Sequence, residues 1–213
     1  TEFDPTDFPV KIAGEVKDFD PVKYVGDKKT VRHMDRNAQF AVAAAKMAAQ
    51  DAKLDMSVED PNRVGTIIGT GIGGIKTMED TVDRIEKRGP GKVNPFAVPM
   101  MIANMASGMV SITFGLQGPV LTDVTACASG NNALGRATRM IQWGDADVMF
   151  AGGTEAAVAK TPMAGFAAMH ALSSRECPPE EASCPFDVRR DGFVLGEGSG
   201  VLILEELEHA KKR

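Results

Sequence analysis

The chain has 213 residues, with 43% apolar and 25% charged side chains and a formal net charge of −5, values typical of a globular protein with one large or two small domains. The slight acidity argues against a nucleic-acid-binding surface, and no apolar run is long enough to span a bilayer. No signal peptide opens the chain, and three cysteines without disulfide-framework or metal spacing favour a reducing, cytoplasmic setting.

Short buried strands and helices alternate in the predicted chain. In order, the sequence predicts an irregular segment over 1–34 with one alternating stretch at 10–16, a helix over 35–52 capped by Asp35, a strand over 64–68, a helix over 77–88, a loop over 89–99, a helix over 100–114, a strand over 120–124, a helix over 131–143, a strand over 147–150, a mixed loop and short helix over 161–174, and a helix from about 206. Two more strands, 193–195 and 201–205, are expected to pair across a glycine-rich turn at 196–200. The alternation predicts an α/β layered fold with a central, mostly parallel sheet.

Cys127 lies at a predicted strand-to-helix junction. The β-prone run over 120–124 leads into it, and a helix-compatible run over 131–143 leads away. The positive end of such a helix favours the thiolate, which is the nucleophilic form of cysteine. The geometry is similar to the elbow that presents serine in hydrolases. On position alone, a small buried apolar residue is the competing interpretation, because most free cysteines are of that kind.

Gly69, Gly71 and Gly74 match the dinucleotide-binding pattern, between a predicted strand and a predicted helix. The acidic residue expected about twenty positions later should end a second strand. Here that region, 88–91, is a loop with no strand before it. A tight turn is therefore the favoured interpretation, and a nucleotide-binding oxidoreductase is kept as an alternative.

The three histidines, His33, His170 and His209, have no Cys, His or carboxylate neighbour at zinc-ligand spacing, so no metal site is predicted. His209 lies beside two lysines and is expected to be solvated. Any of the three could be a base for Cys127, because such partners are distant in sequence.

A small basic cluster interrupts the otherwise acidic sequence. It consists of Lys28, Lys29, Arg32 and Arg36. Such a cluster is usually a solvated surface, and it can also dock an acidic partner.

Several short motifs follow one another along the chain in a specific order. They include Gly-Pro at 118–119, Thr-Ala-Cys-Ala-Ser-Gly at 125–130, Gly-Asp-Ala-Asp at 144–147, Ala-Gly-Gly-Thr-Glu at 151–155, Gly-Phe at 165–166, Ala-Leu-Ser at 171–173, Pro-Phe-Asp at 185–187 and Arg-Asp-Gly-Phe-Val-Leu-Gly-Glu-Gly at 190–198. In order and spacing, from about residue 9 to the end, the chain resembles the β-ketoacyl-acyl-carrier-protein synthase family, and most closely its synthase II branch.

The resemblance implies a thiolase-like fold with five layers, α-β-α-β-α, built from two similar halves and usually assembled as a homodimer. Residues 1–213 would supply most of the N-terminal half, as a ketosynthase domain truncated at both ends. No cofactor is implied, and the implied partners are acyl carrier protein and acyl and malonyl thioesters.

The resemblance also implies roles for individual residues. Cys127 would take an acyl chain as a thioester, after which decarboxylation of malonyl carrier protein would give a carbanion that attacks it, yielding a 3-oxoacyl product and CO2. Phe166 would gate the pocket and Ile72 would line the acyl tunnel, which places the glycine-rich loop near the substrate. Lys28, Lys29 and Arg32 would dock the acidic carrier protein.

The family's two catalytic histidines, supporting lysine and second oxyanion donor belong to its C-terminal half. None of the three histidines of this chain matches those histidine positions, so the isolated chain is expected not to decarboxylate malonyl carrier protein. The alternative is a non-catalytic half-synthase that binds acyl carrier protein or a partner chain.

Overall fold

The computed structural model describes residues 3–213, which form four strands and ten α-helices. The strands are β1 (Val64–Gly69), β2 (Val120–Leu121), β3 (Val148–Ala156) and β4 (Glu197–Glu205). The helices are α1 (Pro21–Val25), α2 (Lys28–Val31), α3 (Arg36–Asp51), α4 (Ile75–Arg88), α5 (Ala97–Met101), α6 (Met105–Phe114), α7 (Ser129–Trp143), α8 (Lys160–Ala168), α9 (Pro179–Ala182) and α10 (Leu207–Lys212). None of the described helices is both long and apolar enough to cross a membrane.

The four strands form one mixed sheet in the order β2-β1-β3-β4. β1 runs parallel to both neighbours, with Ile67 opposite Leu121 and Ala151, while β4 pairs antiparallel with β3. Helices cover both faces, α7 on one and α3 with α6 on the other. The predicted α/β layering around a mostly parallel sheet is therefore confirmed.

Small side chains allow the helices to pack closely on the sheet. Ala133 and Ala137 of α7 are fully buried against Ile67 and Met149. β1 is buried along its whole length because both of its faces are covered, as is usual for the central strand of a parallel sheet. The ends of β1 and β3 are thereby fixed beneath the first turn of α7.

The predicted hairpin across residues 196–200 is wrong. The glycine-rich stretch is the first part of β4, which runs alongside the whole of β3. The close approach of the two strands requires a glycine in β3, since a Cβ added to Gly152 would collide with the carbonyl oxygen of Gly200. Phe193 instead forms an isolated parallel bridge to Leu172.

Several boundaries also differ from the prediction. The segment over 1–34 contains α1 and α2, which Asp20 and Asp27 cap with their side chains. The helix predicted over 100–114 is two helices, α5 and α6, because Ile102 adopts an extended conformation between them. β3 continues through its two glycines to Ala156 instead of ending there.

Candidate active site

The backbone reverses direction at Ala126 to bring Cys127 to the surface. After β2, the chain stays beside the end of β1, with Thr70 N–H donating to the Asp123 carbonyl at 3.1 Å. Ala126 then adopts a left-handed conformation with φ of 51°, which costs a non-glycine residue about 1–2 kcal/mol. Cys127 follows with an exposed side chain, and α7 begins two residues later. The sequence expectation of a strand-to-helix elbow matches this geometry, and the alternative of a buried cysteine is wrong.

The Ser129 hydroxyl stabilises the elbow from below. It accepts the N–H of Thr125 at 2.9 Å and lies 2.6 Å from the carbonyl oxygen of Ala126 and 3.1 Å from that of Thr70. Ser129 is buried, so these bonds are shielded from water. One side chain thus links the strained turn to the loop that follows β1.

Glycines allow the first turn of α7 to lie directly on the sheet. A Cβ at Gly69 would overlap the carbonyl of Ser129, and a Cβ at Gly153 would lie 3.1 Å from the Cα of Gly130. These contacts join the ends of β1 and β3 to the start of α7. The helix N-terminus beside Cys127 is therefore held by backbone packing.

The glycines of the dinucleotide-like pattern have a packing cause as well. A Cβ at Gly74 would overlap the Met100 carbonyl, while one at Gly71 would lie 3.7 Å from the Cα of Ala126. The loop after β1 is consequently pressed between the α5 region and the elbow. The space that these glycines leave open is occupied by backbone atoms and, beside Gly71, by the Glu155 carboxylate.

Glu155, near the end of β3, binds the same loop from the other side. Its carboxylate accepts the Gly71 N–H at 2.6 Å and the Thr70 hydroxyl at 3.1 Å. Burial raises the pKa of Glu155 above its ordinary value, and the two hydrogen bonds oppose that shift. The sequence interpretation gave Glu155 no role, although polar residues at the carboxyl ends of parallel strands are where α/β sites form.

Cys127 and Glu155 line one open cavity of about 290 Å³. The cavity is bounded by the ends of β1 and β3, the first turn of α7 and the start of β4, with Gly198 to Gly200 on the β4 side. Larger hollows lie elsewhere, including one of about 660 Å³ between α3 and β4. We assign the site to the smaller cavity because it contains the exposed thiol, the helix N-terminus and the perturbed carboxyl group.

Ile72 and Phe166 occupy different surroundings. Ile72 is exposed and directly follows Gly71 in the loop beside the elbow. Phe166, on α8, forms an edge-on ring contact with Phe193 at 5.2 Å and packs on the cluster that contains Met163. Neither side chain lines the Cys127 cavity in the described part of the chain.

The predicted docking residues share one short element. Lys28 and Lys29 belong to α2, and Arg32 is its C-terminal cap; all three side chains are exposed. Arg36 differs from them, because it forms a half-buried ion pair with Glu197. The basic surface is therefore defined by Lys28, Lys29 and Arg32.

The three histidines are dispersed. His33 stacks on Phe96 with ring centroids 3.7 Å apart, and His170 is exposed with a left-handed backbone. His209 was expected to be solvated, but it is half-buried between Glu205 and Glu59. No histidine of residues 3–213 lines the Cys127 cavity, and no group of metal-ligating side chains is found within that range.

Comparison with known proteins assigns this arrangement. The model of the β-ketoacyl synthase N-terminal domain matches residues 2–210. The chain belongs to the β-ketoacyl synthase family. It is 51% identical to a 3-oxoacyl-[acyl-carrier-protein] synthase 2 of Synechocystis sp. and 46% identical to one of Staphylococcus aureus, in both cases over 100% of this chain.

Solved ketosynthase structures share the fold. A type II polyketide acyl-carrier protein in complex with its ketosynthase bound to the hexaketide matches 98% of this chain with a TM-score of 0.86 and 35% identity. A β-ketoacyl synthase from Burkholderia phymatum matches 97% with a TM-score of 0.85 and 31% identity. The predicted thiolase-like fold is confirmed by these matches.

The chain spans about half the length of the relatives that it matches. It covers 51% of the Synechocystis protein and 52% of the Staphylococcus protein. The two ketosynthase structures are covered to 50% and 52%. The described residues therefore correspond to one half of a ketosynthase.

Proposed function

We propose that this chain carries the acyl-accepting half of a 3-oxoacyl-[acyl-carrier-protein] synthase, with Cys127 as the nucleophile. The observation that supports this most is the exposed thiol on a left-handed turn at the start of α7, in a chain of the β-ketoacyl synthase family. A thiolate there attacks the carbonyl of an acyl thioester, forming a new S–C bond as the bond between the acyl carbon and the carrier's sulfur breaks. The carrier leaves as a thiolate and takes up the proton that Cys127 released. The N–H groups at the start of α7 favour the negative charge of the tetrahedral intermediate.

The condensation that completes the reaction belongs to the whole protein. Malonyl carrier protein loses CO2, and the resulting carbanion attacks the Cys127 thioester to give the 3-oxoacyl product and release the thiolate. Proton transfer and anion stabilisation for this step need further groups. No histidine of residues 3–213 lines the cavity. We therefore expect this chain alone to accept an acyl group but not to catalyse the condensation.

An experiment with purified chain and decanoyl carrier protein tests the transfer. Intact-mass measurements follow the gain of one acyl group with time in the wild type, Cys127→Ala and Cys184→Ala. We expect transfer to be lost in Cys127→Ala and retained in Cys184→Ala, which removes another partly exposed thiol. Transfer to Cys127→Ala at the wild-type rate would contradict the proposal.

We further propose that acyl carrier protein docks on Lys28, Lys29 and Arg32. These three exposed cations are clustered on one short helix of an acidic chain, and long-range attraction raises the rate of encounter with an acidic partner. Changing all three to Glu should raise the carrier-protein concentration that gives half the maximal single-turnover rate of acylation about tenfold and leave the maximal rate unchanged. A matched triple change of Arg84, Lys92 and Lys212 to Glu alters the net charge equally. If both triples raise the half-saturating concentration by the same factor, the effect is one of net charge and the docking surface is wrong.

Ile72 and Phe166 remain proposed contacts of the acyl chain. Ile72 adjoins the elbow through Gly71, and Phe166 lies in a separate aromatic pair. Replacing each by Ala separates their roles. Ile72→Ala should change the preferred length of the acyl chain, and Phe166→Ala should change the rate of acyl transfer for all chain lengths. Wild-type behaviour of both variants with acyl carriers of different length would exclude them.

A homodimer and a cytoplasmic setting complete the proposal. β2 is an edge strand of the described sheet, and the side chains of Val120 and Val124 are 41% and 55% exposed. An open apolar edge is suited to pairing with a second copy. The three cysteines are free thiols, which suits a reducing compartment.

A further inference from the structure

Glu155 forms a direct polar link to the loop beside Cys127. It belongs to β3, whereas its partners Thr70 and Gly71 follow β1, so the carboxylate bridges the ends of two neighbouring strands. The N–H of Ile72 also favours the ionised carboxylate. A single side chain therefore holds two consecutive loop residues, Thr70 and Gly71, and Ile72 follows them directly.

Gly71 is confined from two sides. A Cβ built on it would lie 2.8 Å from the Glu155 carboxylate and 3.7 Å from the Cα of Ala126. Thr70 is held in addition by the Ser129 hydroxyl at its carbonyl, 3.1 Å away. Glu155 thus holds the loop from β3 through hydrogen bonds, while Ser129 binds the loop and the elbow together.

We propose that Glu155 is a positioning residue that sets where Gly71 and Ile72 lie relative to Cys127, and thereby controls how the acyl chain is held. This inference rests on the proposed function, in which Cys127 carries that chain and Ile72 lies along it. Glu155 acts on residues 70–72, which form the wall of the site, and leaves the reactivity of the Cys127 sulfur unchanged. The elbow has its own support in Ser129 and the packed glycines.

Two alkylating reagents with the same reactive group distinguish an effect on the wall from an effect on the reactivity of the Cys127 sulfur. Iodoacetamide reports the intrinsic reactivity of Cys127, and N-octyl iodoacetamide adds a chain that must lie along the wall. Both are applied in a Cys177→Ser, Cys184→Ser background, so that Cys127 is the only thiol. The quantity compared is the ratio of the octyl rate constant to the iodoacetamide rate constant.

In Glu155→Ala we expect this ratio to fall at least about fivefold, with the iodoacetamide rate constant within about twofold of the wild type. The ratio for Glu155→Gln should lie between those of Glu155→Ala and the wild type, because the amide oxygen can still accept the Gly71 N–H. Glu86→Ala, at an exposed position on α4, should have no effect. Equal losses with both reagents, an unchanged ratio in Glu155→Ala, or a wild-type ratio near one would each overturn the inference.

Hydrogen exchange keeps the test independent of alkylation. The Gly71 N–H should exchange at least about tenfold faster in Glu155→Ala than in the wild type, because its acceptor is removed. Unchanged protection would overturn the inference. The proposed function fails separately, if wild-type Cys127 takes no acyl group from carrier protein while the octyl ratio still depends on Glu155.

Discussion

Ala126 shows how a single strained residue presents the nucleophile. Its φ of 51° turns the chain from β2 into α7 and leaves Cys127 exposed at the bend. Strain of this kind persists where the surroundings hold the residue in place, and here Ser129 and Thr70 do so. The sequence could predict the junction, but it could not predict which residue would carry the positive φ.

We predict that Ala126→Val destabilises the fold through the backbone. A β-branched side chain is poorly tolerated in the left-handed region, so the free energy of unfolding should fall by about 1–3 kcal/mol. Ala128→Val is the control, because Ala128 is also exposed but has right-handed geometry. Urea unfolding measures both, and equal losses in the two variants would contradict the explanation by backbone strain.

Glu155 marks the limit of prediction at the scale of residues. The sequence alone reveals the motif at 151–155 that contains Glu155, and order and spacing select Cys127 from the separate motif at 125–130. The partners of Glu155 follow a different strand, more than eighty residues away. Only the parallel pairing of β1 with β3 brings these positions together, and a local pattern does not contain that information.

Strand β4 shows why glycine was misinterpreted at the scale of elements. A run of glycines between apolar segments usually marks a turn, so a hairpin was the natural prediction. In the structure, Gly198 lies opposite Glu155 and Gly200 lies opposite Gly153 in an antiparallel ladder. The run of glycines therefore marks no change of direction, and the glycine that close strand approach requires is Gly152 of β3, whose added Cβ would collide with the Gly200 carbonyl.

Gly152→Ala should therefore be strongly destabilising. The added methyl group would collide with the Gly200 carbonyl inside the sheet, and overpacking of this kind costs about 1–3 kcal/mol or more. Gly91→Ala serves as the control, since a Cβ there meets no atom within 4 Å. Thermal unfolding of both variants checks this, and a Gly152→Ala protein as stable as Gly91→Ala would show that the strands can separate at little cost.

Helix α10 is attached through a titratable contact. His209 Nδ1 lies 2.6 Å from Glu205 and Nε2 lies 3.1 Å from Glu59. The hydrogen bond to Glu205 raises the pKa of His209 above its ordinary value. Since the folded-state pKa is the higher one, the stabilisation is fully present below the unfolded pKa of about 6.5 and is lost as the pH rises through the folded pKa.

We accordingly expect the free energy of unfolding to decline as the pH rises above about 6.5, and this decline to be smaller in His209→Gln. Urea titrations at a series of pH values measure it. His170→Asn is the control, because His170 is exposed and Asn tolerates its left-handed backbone. A decline of the same size in His209→Gln and the wild type would assign the pH dependence to other groups.

At the scale of the whole molecule, the open edge of the described sheet predicts self-association. Replacing Val120 and Val124 by Lys should weaken a dimer formed along β2, because charge on an edge strand opposes pairing. Val58→Lys is the control for a charge added at an exposed apolar position away from the sheet. Sedimentation measures the dimer fraction of the wild type, the double edge variant and Val58→Lys. Dimerisation unaffected by the two edge changes would exclude β2 as the interface.

The overall fold could be predicted because most helices and strands are indicated by their own stretch of sequence, and because the motifs follow one another in a specific order. The alternation of strands and helices indicated the layered α/β class, and the series of motifs from 118 to 198 indicated the family. The short helices α1 and α2 could not be predicted, because segments of five and four residues are too short to show a helical period. The environment of His209 was missed because it depends on Glu59, far away in the chain.

Competition among the three thiols of one chain tests the central claim most directly. The wild-type protein is incubated with less than one equivalent of decanoyl carrier protein, digested, and its peptides are assigned by mass spectrometry. The account predicts a single decanoyl thioester, on Cys127, with Cys177 and Cys184 unmodified. Acyl groups distributed among all three cysteines, or found on Cys177 or Cys184 instead, would contradict it.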